Sequence, residues 1–353
     1  MAVIEVSERA QRVHKEAIII DALQYWFPLQ TAETYRKEIR KAIDAGITAI
    51  QMTLGYIDLD LAPIVTTWAK FIKTFDAIEE AKLVFTAGDI ESAKKEGKLA
   101  IVMGLQESRP YERDLDLLTI FYKLGLRVAQ PAYFRQTLLA SGCAEREDSG
   151  LTDRGLEAVE EFNRLGILID VSHCSDRTAI EAAKASKTPI AVTHSSPHAL
   201  VGMPRARSDE AIKAVAEKGG VFGQMFQRPF SERDTKIGVR PTLSEVIDLI
   251  DYTVKLVGVD HVGLGIDHNS FWFDDSLWRK WATGKESGGT ALVHPYSPFY
   301  PYPQERYPAE LGVDTNKTII RITEELIRHG YSDEDTKKIM GGNWLRLFKE
   351  VWK

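Results

Sequence analysis

Two histidines and one aspartate each close a short apolar run of the sequence and have the side chains of a hydrolytic metal site. They are His173, His194 and Asp267. Neutral imidazole nitrogens are good ligands for zinc, and a nearby carboxylate can take the proton of a metal-bound water. A zinc ion lowers the pKa of that water to about 7 and polarises a carbonyl group. This combination predicts hydrolysis of an amide or an ester.

Apolar runs that alternate with helical segments along the chain indicate βαβ units and a parallel sheet. The runs predicted as strands are 17–21, 47–52, 100–104, 125–130, 166–172, 189–193, 220–225 and 261–266. The predicted helices are 32–45, 68–84, 114–124, 155–165, 176–186, 209–218, 242–256 and 316–329. This pattern predicts an α/β fold, a (β/α)8 TIM-like barrel, built as a single domain over residues 1–353. An open doubly wound sheet is the alternative, but the first strand lacks the Gly-rich phosphate loop of such sheets.

A barrel would bring the candidate residues together, because the working residues of barrels lie at the carboxyl ends of the strands. His173, His194 and Asp267 follow the predicted strands 5, 6 and 8. One histidine at a strand end is usually a hydrogen-bonded structural residue, but three coincident strand ends favour a site. His268, beside Asp267, is predicted to contact metal or substrate. Asp170 is the weaker candidate, predicted to hold a ligand histidine in place or to pair with a neighbouring strand.

Three further histidines are predicted to be solvated, namely His14, His294 and His329. His261 begins strand 8, at the opposite end of the barrel from the chemistry, and is expected to be structural. None of these four is therefore assigned to the site.

A long loop rich in aromatic residues and proline covers residues 270–312, after strand 8. Such a loop in a compact domain is typical of an active-site lid or an interface, and it makes a homodimer plausible. A surface insertion packed on its own rings is an equal alternative.

The composition excludes several classes of protein. The 353 residues carry a net charge of −6 with scattered Lys and Arg, so no basic surface for nucleic acid is expected. Neither a signal peptide nor a membrane-spanning run is visible, so we predict a cytoplasmic protein with a small-molecule substrate and no membrane partner. The two cysteines cannot by themselves form a thiolate metal site, so any metal must be held by histidine and carboxylate.

Several segments of the chain resemble the membrane dipeptidases, also called renal dipeptidases. The most specific is 150–178, which contains His173, and the others are 193–196, 204–210, 262–267 and 341–346. The likeness runs from about residue 17 to residue 350. It implies a distorted barrel of the metal-dependent hydrolase type with two zinc ions, which cleaves dipeptides, including dehydropeptides and substrates with D-residues.

The resemblance also implies a role for each matching residue. His173 and His194 resemble the ligands of the second zinc ion. Asp267 resembles the acid/base that protonates the leaving amine, and Arg205 resembles the arginine that binds the substrate carboxylate.

Departures at the metal ligands set this chain apart from the family pattern. The family's first strand normally ends in a His-x-Asp pair, but the corresponding residues here are Leu23 and Tyr25, which do not ligate zinc in the ordinary way. The glutamate that bridges both metals is replaced by Gln106, which offers only a neutral carbonyl oxygen. The resemblance is therefore to a divergent branch, in which we expect one zinc ion (Zn) rather than two, or none. The candidate ligands are His173, His194 and Gln106, with Glu107, Asp267 or water as alternatives.

Tyr133 takes the place of a family histidine that contacts the substrate carbonyl oxygen, and we assign it a catalytic role beside Asp267. Arg205 and His268 are predicted to bind substrate.

The chain is thus predicted to be a metallo-dipeptidase-like hydrolase, which cleaves the amide bond of a dipeptide or a similar small amide bearing a carboxylate. One alternative is a mononuclear or metal-free barrel enzyme with changed chemistry on a small carboxylate, such as a decarboxylase, lactonase or lyase. Another is a binding barrel without catalysis.

Overall fold

A closed ring of parallel strands forms the centre of the protein. The computed structural model describes residues 4–26, 31–54, 60–233, 236, 238–269, 306–312 and 314–353. Within them the strands are β1 Ile20–Tyr25, β2 Ala49–Thr53, β3 Ala81–Leu83, β4 Leu99–Leu105, β5 Leu126–Ala129, β6 Leu168–Ile169, β7 Ala191–Ser195, β8 Val221–Gln224, β9 Val262–Leu264 and β10 His268–Asn269. Eight of them pair in the order β6-β5-β4-β2-β1-β9-β8-β7, and a bridge between Asp170 and Ala191 joins the two ends. The predicted (β/α)8 TIM-like barrel is confirmed.

Helices connect the strands and surround the ring. In the described residues they are α1 Glu8–Glu16, α2 Ala32–Asp44, α3 Leu61–Asp76, α4 Ala87–Glu96, α5 Leu117–Lys123, α6 Asp153–Leu165, α7 Asp176–Ala185, α8 Asp209–Glu217, α9 Leu243–Val257, α10 Thr315–Thr318, α11 Ile320–Arg328, α12 Asp333–Lys337 and α13 Asn343–Val351. Ser175 and Ser208 begin α7 and α8 by accepting hydrogen bonds from the N–H groups of Thr178 and Ala211. None of these helices combines the length and the apolar character needed to cross a membrane.

The segment between β2 and β4 differs from the prediction. The sequence pattern predicts one helix over 68–84, but the chain forms α3, then β3, then α4. The helix begins earlier because Asp60 occupies its N-cap and Pro63 lies in the first turn, where a missing N–H removes no helical hydrogen bond. The prediction is wrong because the apolar residues of α3 and β3 read as one continuous pattern. β3 pairs with β4 outside the ring, as β10 pairs with β1.

Residues of the strands alternate between two buried clusters. Ile50 and Ile101 belong to the cluster shared with the surrounding helices, whereas Ala49 and Ala100 share a cluster with Trp344 of α13. The indole Nε1 of Trp344 donates a hydrogen bond to the main-chain oxygen of Leu264 at 3.0 Å. Side chains therefore fill the interior of the ring, so the room for a ligand lies at its mouth.

Candidate active site

The structure brings the two predicted ligand histidines into contact. His173 follows β6 and His194 lies within β7, and both side chains are buried. Their Nε2 atoms are 2.9 Å apart, with ring centroids separated by 4.9 Å. Adjacent strands of the barrel thus aim two imidazole rings at one point.

Asp170 holds this pair of strand ends together. Its carboxylate is 1% exposed and accepts hydrogen bonds from the main-chain N–H groups of Ser172 and Thr193, each at 3.0 Å. It also accepts from the Thr193 hydroxyl and from Gln130 Nε2, both at 2.7 Å. Burial raises the pKa of Asp170, and the hydrogen bonds from Ser172 and Thr193 oppose the rise. A group surrounded by donors in this way matches the carboxylate form, which can only accept.

The bond from Thr193 to Asp170 fixes the tautomer of His194. Because the single hydroxyl proton of Thr193 goes to Asp170, its oxygen must accept from His194 Nδ1, which is 2.8 Å away. His194 Nε2 therefore carries the lone pair that faces His173. Burial, reinforced by the charge of Arg205, holds the pKa of His194 well below its usual range. The ring is thus neutral, as a metal ligand must be.

Replacing Gly265 by alanine should destabilise the fold at His194. An added Cβ would lie 1.9 Å from the main-chain oxygen of Thr193 and 2.9 Å from the Cα of His194. Because both are main-chain atoms, we expect a loss of roughly 1–3 kcal/mol in the free energy of unfolding, measured in urea. Gly88→Ala is the matched control, since its Cβ would meet only Thr86 Oγ1 at 3.6 Å. Equal losses in the two variants would contradict this account.

Aromatic rings cover His173 on two sides. The Tyr133 ring stacks on it with centroids 3.8 Å apart, and the Phe134 ring meets it edge-on at 4.7 Å. Burial, with a further contribution from the negative charge of Asp267, raises the pKa of Tyr133 well above its usual range. The Tyr133 hydroxyl therefore stays protonated and can donate a hydrogen bond beside the imidazole pair.

Arg205 places a buried positive charge at the same point. The guanidinium donates to the main-chain oxygens of Ser172 and of His194, the latter at 2.8 Å, and its Nη2 lies 3.3 Å from His173 Nε2. The side chain is 1% exposed, and its Nε–H is buried with no hydrogen-bond partner among the residues that the structure describes. A buried, unpaired N–H on a cation is a strong binding group for a carboxylate.

Asp267 follows β9 in an unusual main-chain conformation, with φ at 58°. Its N–H donates to the main-chain oxygen of Leu23 at 3.1 Å, which ties it to the end of β1. Burial raises the pKa of Asp267 to about 6, and the charges of Arg205 and Arg306 oppose the rise. The charge of Asp267 therefore interacts with Arg205 and Arg306, and it also raises the pKa of Tyr133.

The end of β1 holds a network of amides where the family pattern has metal ligands. Leu23 is buried among the barrel residues. Gln24 Nε2 donates to Asp21 Oδ2 at 2.9 Å and to Asn316 Oδ1 at 2.8 Å. The residues present at this point, including Leu23 and Tyr25, do not fit a first metal ion.

The imidazole pair itself fits one ion. Two nitrogens bonded at about 2.0–2.1 Å to one tetrahedral zinc ion lie about 3.3–3.4 Å apart, so the pair, 2.9 Å apart here, would open by about half an ångström to hold an ion. Across the described ranges, however, no carboxylate, thiolate or third imidazole joins this pair, and the one such group of potential ligands is Asp248, Asp251 and His329 on the outer helices. Gln106, half-buried directly after β4, remains the candidate for the third protein ligand. The imidazole pair thus offers two ligands for one ion, and the described residues at the end of β1 offer none of the family's ligands for a second.

His268 lies buried on the short strand β10, which pairs with β1. Its Nδ1 is 2.6 Å from the Thr315 hydroxyl, and its ring centroid is 6.0 Å from that of Tyr307. Its Nε2 is buried and has no hydrogen-bond partner within the described part of the chain.

Two further residues near Asp267 come from the end of the long loop. Tyr307 donates to the main-chain oxygen of Asp267 at 2.7 Å, and Arg306 is 3% exposed. The aromatic composition of the loop favours a lid, an interface or a surface insertion alike, and no spacing in the sequence singles out these two residues. Residues 270–305 of the loop, with His294, lie outside the described residues.

The prediction that His14 and His329 are solvated is wrong. His14 is 5% exposed, with its ring nitrogens 2.7 Å from Thr323 Oγ1 and 2.8 Å from the oxygen of Ala45. The Nδ1 atom of His329 lies 2.8 Å from Asp251 Oδ2. Both histidines lie on helix faces that pack against neighbouring helices, which the charged surroundings in the sequence do not reveal.

A family model described as membrane dipeptidase, peptidase family M19, matches residues 7–274. The chain belongs to the membrane dipeptidase family. The resemblance that the sequence motifs indicate is thereby confirmed, and His173, His194, Arg205 and Asp267 all lie within the matched range.

The proteins to which this chain is similar are distant from it in sequence. An uncharacterized protein in the pqqA 5′ region of Klebsiella pneumoniae is 26% identical over 278 residues, which cover 77% of this chain and 89% of that protein. An uncharacterized dipeptidase of Schizosaccharomyces pombe is 28% identical over 228 residues, or 64% of this chain, and the match spans only 52% of that protein. The crystal structure of an amidohydrolase from Pseudomonas aeruginosa matches with a TM-score of 0.83 at 28% identity, covering 97% of this chain and 99% of that chain. The barrel and its helices are thus shared with that amidohydrolase structure.

Proposed function

We propose that this protein is a metal-dependent hydrolase, which cleaves the amide bond of a dipeptide or of a similar small amide with a free carboxylate. The observation that carries the proposal is the Arg205 guanidinium, buried beside the imidazole pair with its Nε–H unpaired. Membership of the membrane dipeptidase family supports the same reaction. Arg205 would bind the substrate carboxylate and so place the neighbouring amide bond between Tyr133 and Asp267.

His173 and His194 would hold one zinc ion, with Gln106 as a third ligand. When bound, that ion supplies an acidic water and polarises the scissile carbonyl group. The Asp170–Thr193 pair keeps His194 in the tautomer whose Nε2 is free to ligate.

Asp267 would move the proton during the reaction. As a carboxylate it accepts a proton from the attacking water, and as an acid it returns that proton to the nitrogen of the leaving amine. The water oxygen bonds to the carbonyl carbon as the C–N bond breaks, and the products are a carboxylate and an ammonium group, which together carry both protons of the water. Tyr133, kept protonated by burial, would donate a hydrogen bond to the carbonyl oxygen as negative charge develops there. His268 would contact the substrate through its unpaired Nε2.

A second candidate is favoured by one observation, the contact of Arg205 Nη2 with His173 Nε2 at 3.3 Å. A cation so close to a ligand nitrogen weakens metal binding by repulsion. A barrel enzyme with a weak or absent metal, acting as a decarboxylase, lactonase or lyase on a small carboxylate, would use the same Arg205. Stoichiometric zinc together with dipeptide cleavage would exclude it.

Substitution of Arg205 tests the proposed substrate class. Arg205→Lys should raise KM for dipeptides by roughly 10- to 100-fold, because charge-assisted hydrogen bonds contribute roughly 1.5–3 kcal/mol and lysine lacks the planar donor set. Cleavage of the corresponding dipeptide amides, which lack the carboxylate, should be slow and equal in both proteins. The exposed Arg113→Lys serves as the control variant. Equal KM values for free acids and amides in the unmodified protein would overturn the proposal.

Other features of the protein stay predictions from the sequence. They are the single-domain organisation over residues 1–353, the cytoplasmic location, the possible homodimer and the single zinc ion.

A further inference from the structure

The main chain at Asp267 has a conformation that residues other than glycine rarely adopt. Its φ of 58° is the one positive value for a non-glycine residue in the described ranges. Such a residue persists only where its surroundings over-determine its conformation. Neighbouring groups must therefore hold Asp267 in this conformation.

Hydrogen bonds from two sides fix this conformation. From β1, the oxygen of Leu23 accepts the Asp267 N–H at 3.1 Å, and Asp21 Oδ1 accepts the N–H of Ile266 at 2.8 Å. From the opposite direction, the hydroxyl of Tyr307 donates to the Asp267 oxygen at 2.7 Å. Both sides of the Asp267 peptide are thus bound, and only one of the bonds comes from outside the barrel.

Tyr307 is itself rigidly placed. It is 2% exposed, and its main-chain oxygen accepts from Arg240 Nε at 2.6 Å. The preceding oxygen, of Arg306, accepts from the N–H of Arg228 at 2.7 Å. The Tyr307 ring also lies beside His268, the residue after Asp267. The Tyr307 hydroxyl is therefore a fixed point against which the Asp267 peptide is set.

We propose that Tyr307 is a positioning residue for Asp267. Its hydroxyl holds the Asp267 main chain in the left-handed conformation and so orients the Asp267 carboxylate. The inference rests on the proposed function for the role of Asp267 in proton transfer. Tyr307 acts through the main chain and does not need to touch the substrate. Loss of the hydroxyl should therefore affect the chemical step and leave substrate binding nearly unchanged, since small misplacements of a catalytic group slow the reaction strongly.

Tyr307→Phe tests this role, because it removes the hydroxyl and keeps the ring. We expect kcat for a dipeptide to fall on the order of 10-fold with KM within about 2-fold, since orientation of the base is lost and binding is not. Amide hydrogen exchange over residues 262–269 should speed up on the order of 5- to 10-fold, as expected when one hydrogen bond is lost. Tyr331→Phe is the matched control, because its hydroxyl bonds to Asp251 Oδ1 at 2.8 Å on the outer helices. There both quantities should stay unchanged.

The two readouts separate this inference from the proposed function. If the unmodified protein cleaves no dipeptide, the proposed function fails. The exchange measurement still tests whether the Tyr307 hydroxyl holds the main chain at Asp267. Unchanged exchange over 262–269 in Tyr307→Phe, with kcat within 2-fold of the unmodified protein, would overturn the positioning role. A rise in KM with kcat unchanged would do the same, because it would make Tyr307 a substrate-binding residue.

Discussion

Asp267→Asn should lower kcat/KM for dipeptides by roughly 10²- to 10⁴-fold, because an amide can neither accept the proton of the water nor return it to the amine. The fold should be retained, since Asn keeps the shape of the side chain and tolerates the left-handed main chain. Circular dichroism and urea unfolding check that point. The measurement is steady-state cleavage of a dipeptide by the purified variant.

The pH profile gives the same prediction a second test. Burial raises the pKa of Asp267 to about 6, so the carboxylate that serves as base forms as pH rises through that value. We expect kcat/KM to increase with pH along a limb at about 6, or lower when a bound cation favours the carboxylate. Asp267→Asn should lack this limb. The exposed Asp260→Asn is the control and should keep both the rate and the limb. A variant at Asp267 that loses less than about 10-fold would remove this residue from the proposed mechanism.

His194→Ala should abolish retention of zinc and lower dipeptide cleavage by at least about 10²-fold. Losing a group that merely orients a ligand typically lowers metal affinity or activity by about 10- to 100-fold, so losing one of two imidazole ligands should exceed that. Elemental analysis after equilibration with zinc and dialysis measures the metal, with about one ion per chain expected for the unmodified protein.

The exposed His198→Ala is the matched control for this substitution, since it also replaces a histidine, one that lies three residues beyond the end of β7. It should keep the metal and the activity. If His194→Ala retained stoichiometric zinc, the ion would lie elsewhere, and the group of Asp248, Asp251 and His329 would be the place to examine. If it kept full dipeptide cleavage without metal, the proposed dependence on a metal ion would be wrong.

The contact between His173 and His194 could be predicted from the sequence because barrel geometry leaves little freedom at the ends of neighbouring strands, whereas Asp267 does not join that pair closely enough to share an ion with it. Once the apolar runs are assigned to strands in parallel order, the residues after them must share one mouth. The support of His194 by Asp170 follows from the same logic, since the two lie on neighbouring strands. The structure adds the path of that support, which passes through the Thr193 hydroxyl.

The contribution of Tyr307 could not be predicted in the same way. It comes from a loop whose path depends on tertiary contacts such as the bond from Arg240, and several other tyrosines in the loop have the same local appearance. The sequence pattern also failed to predict that α3 and β3 are separate elements, because an apolar pattern does not show where a helix stops. The burial of His14 depends on Thr323, more than three hundred residues away, which no local pattern encodes.

The carboxylate of Asp170 has a consequence for how this wall of the barrel assembles. β6 and β7 meet through the bridge at Asp170 and Ala191, and the Asp170 carboxylate spans the same gap to the N–H and hydroxyl of Thr193. The contact that completes the circle of strands is thus also the contact that presets the His194 ring. Closure of the barrel and orientation of the His194 ring therefore depend on the same residue. A substitution at Asp170 is expected to lower both the stability of the fold and the rate of the reaction.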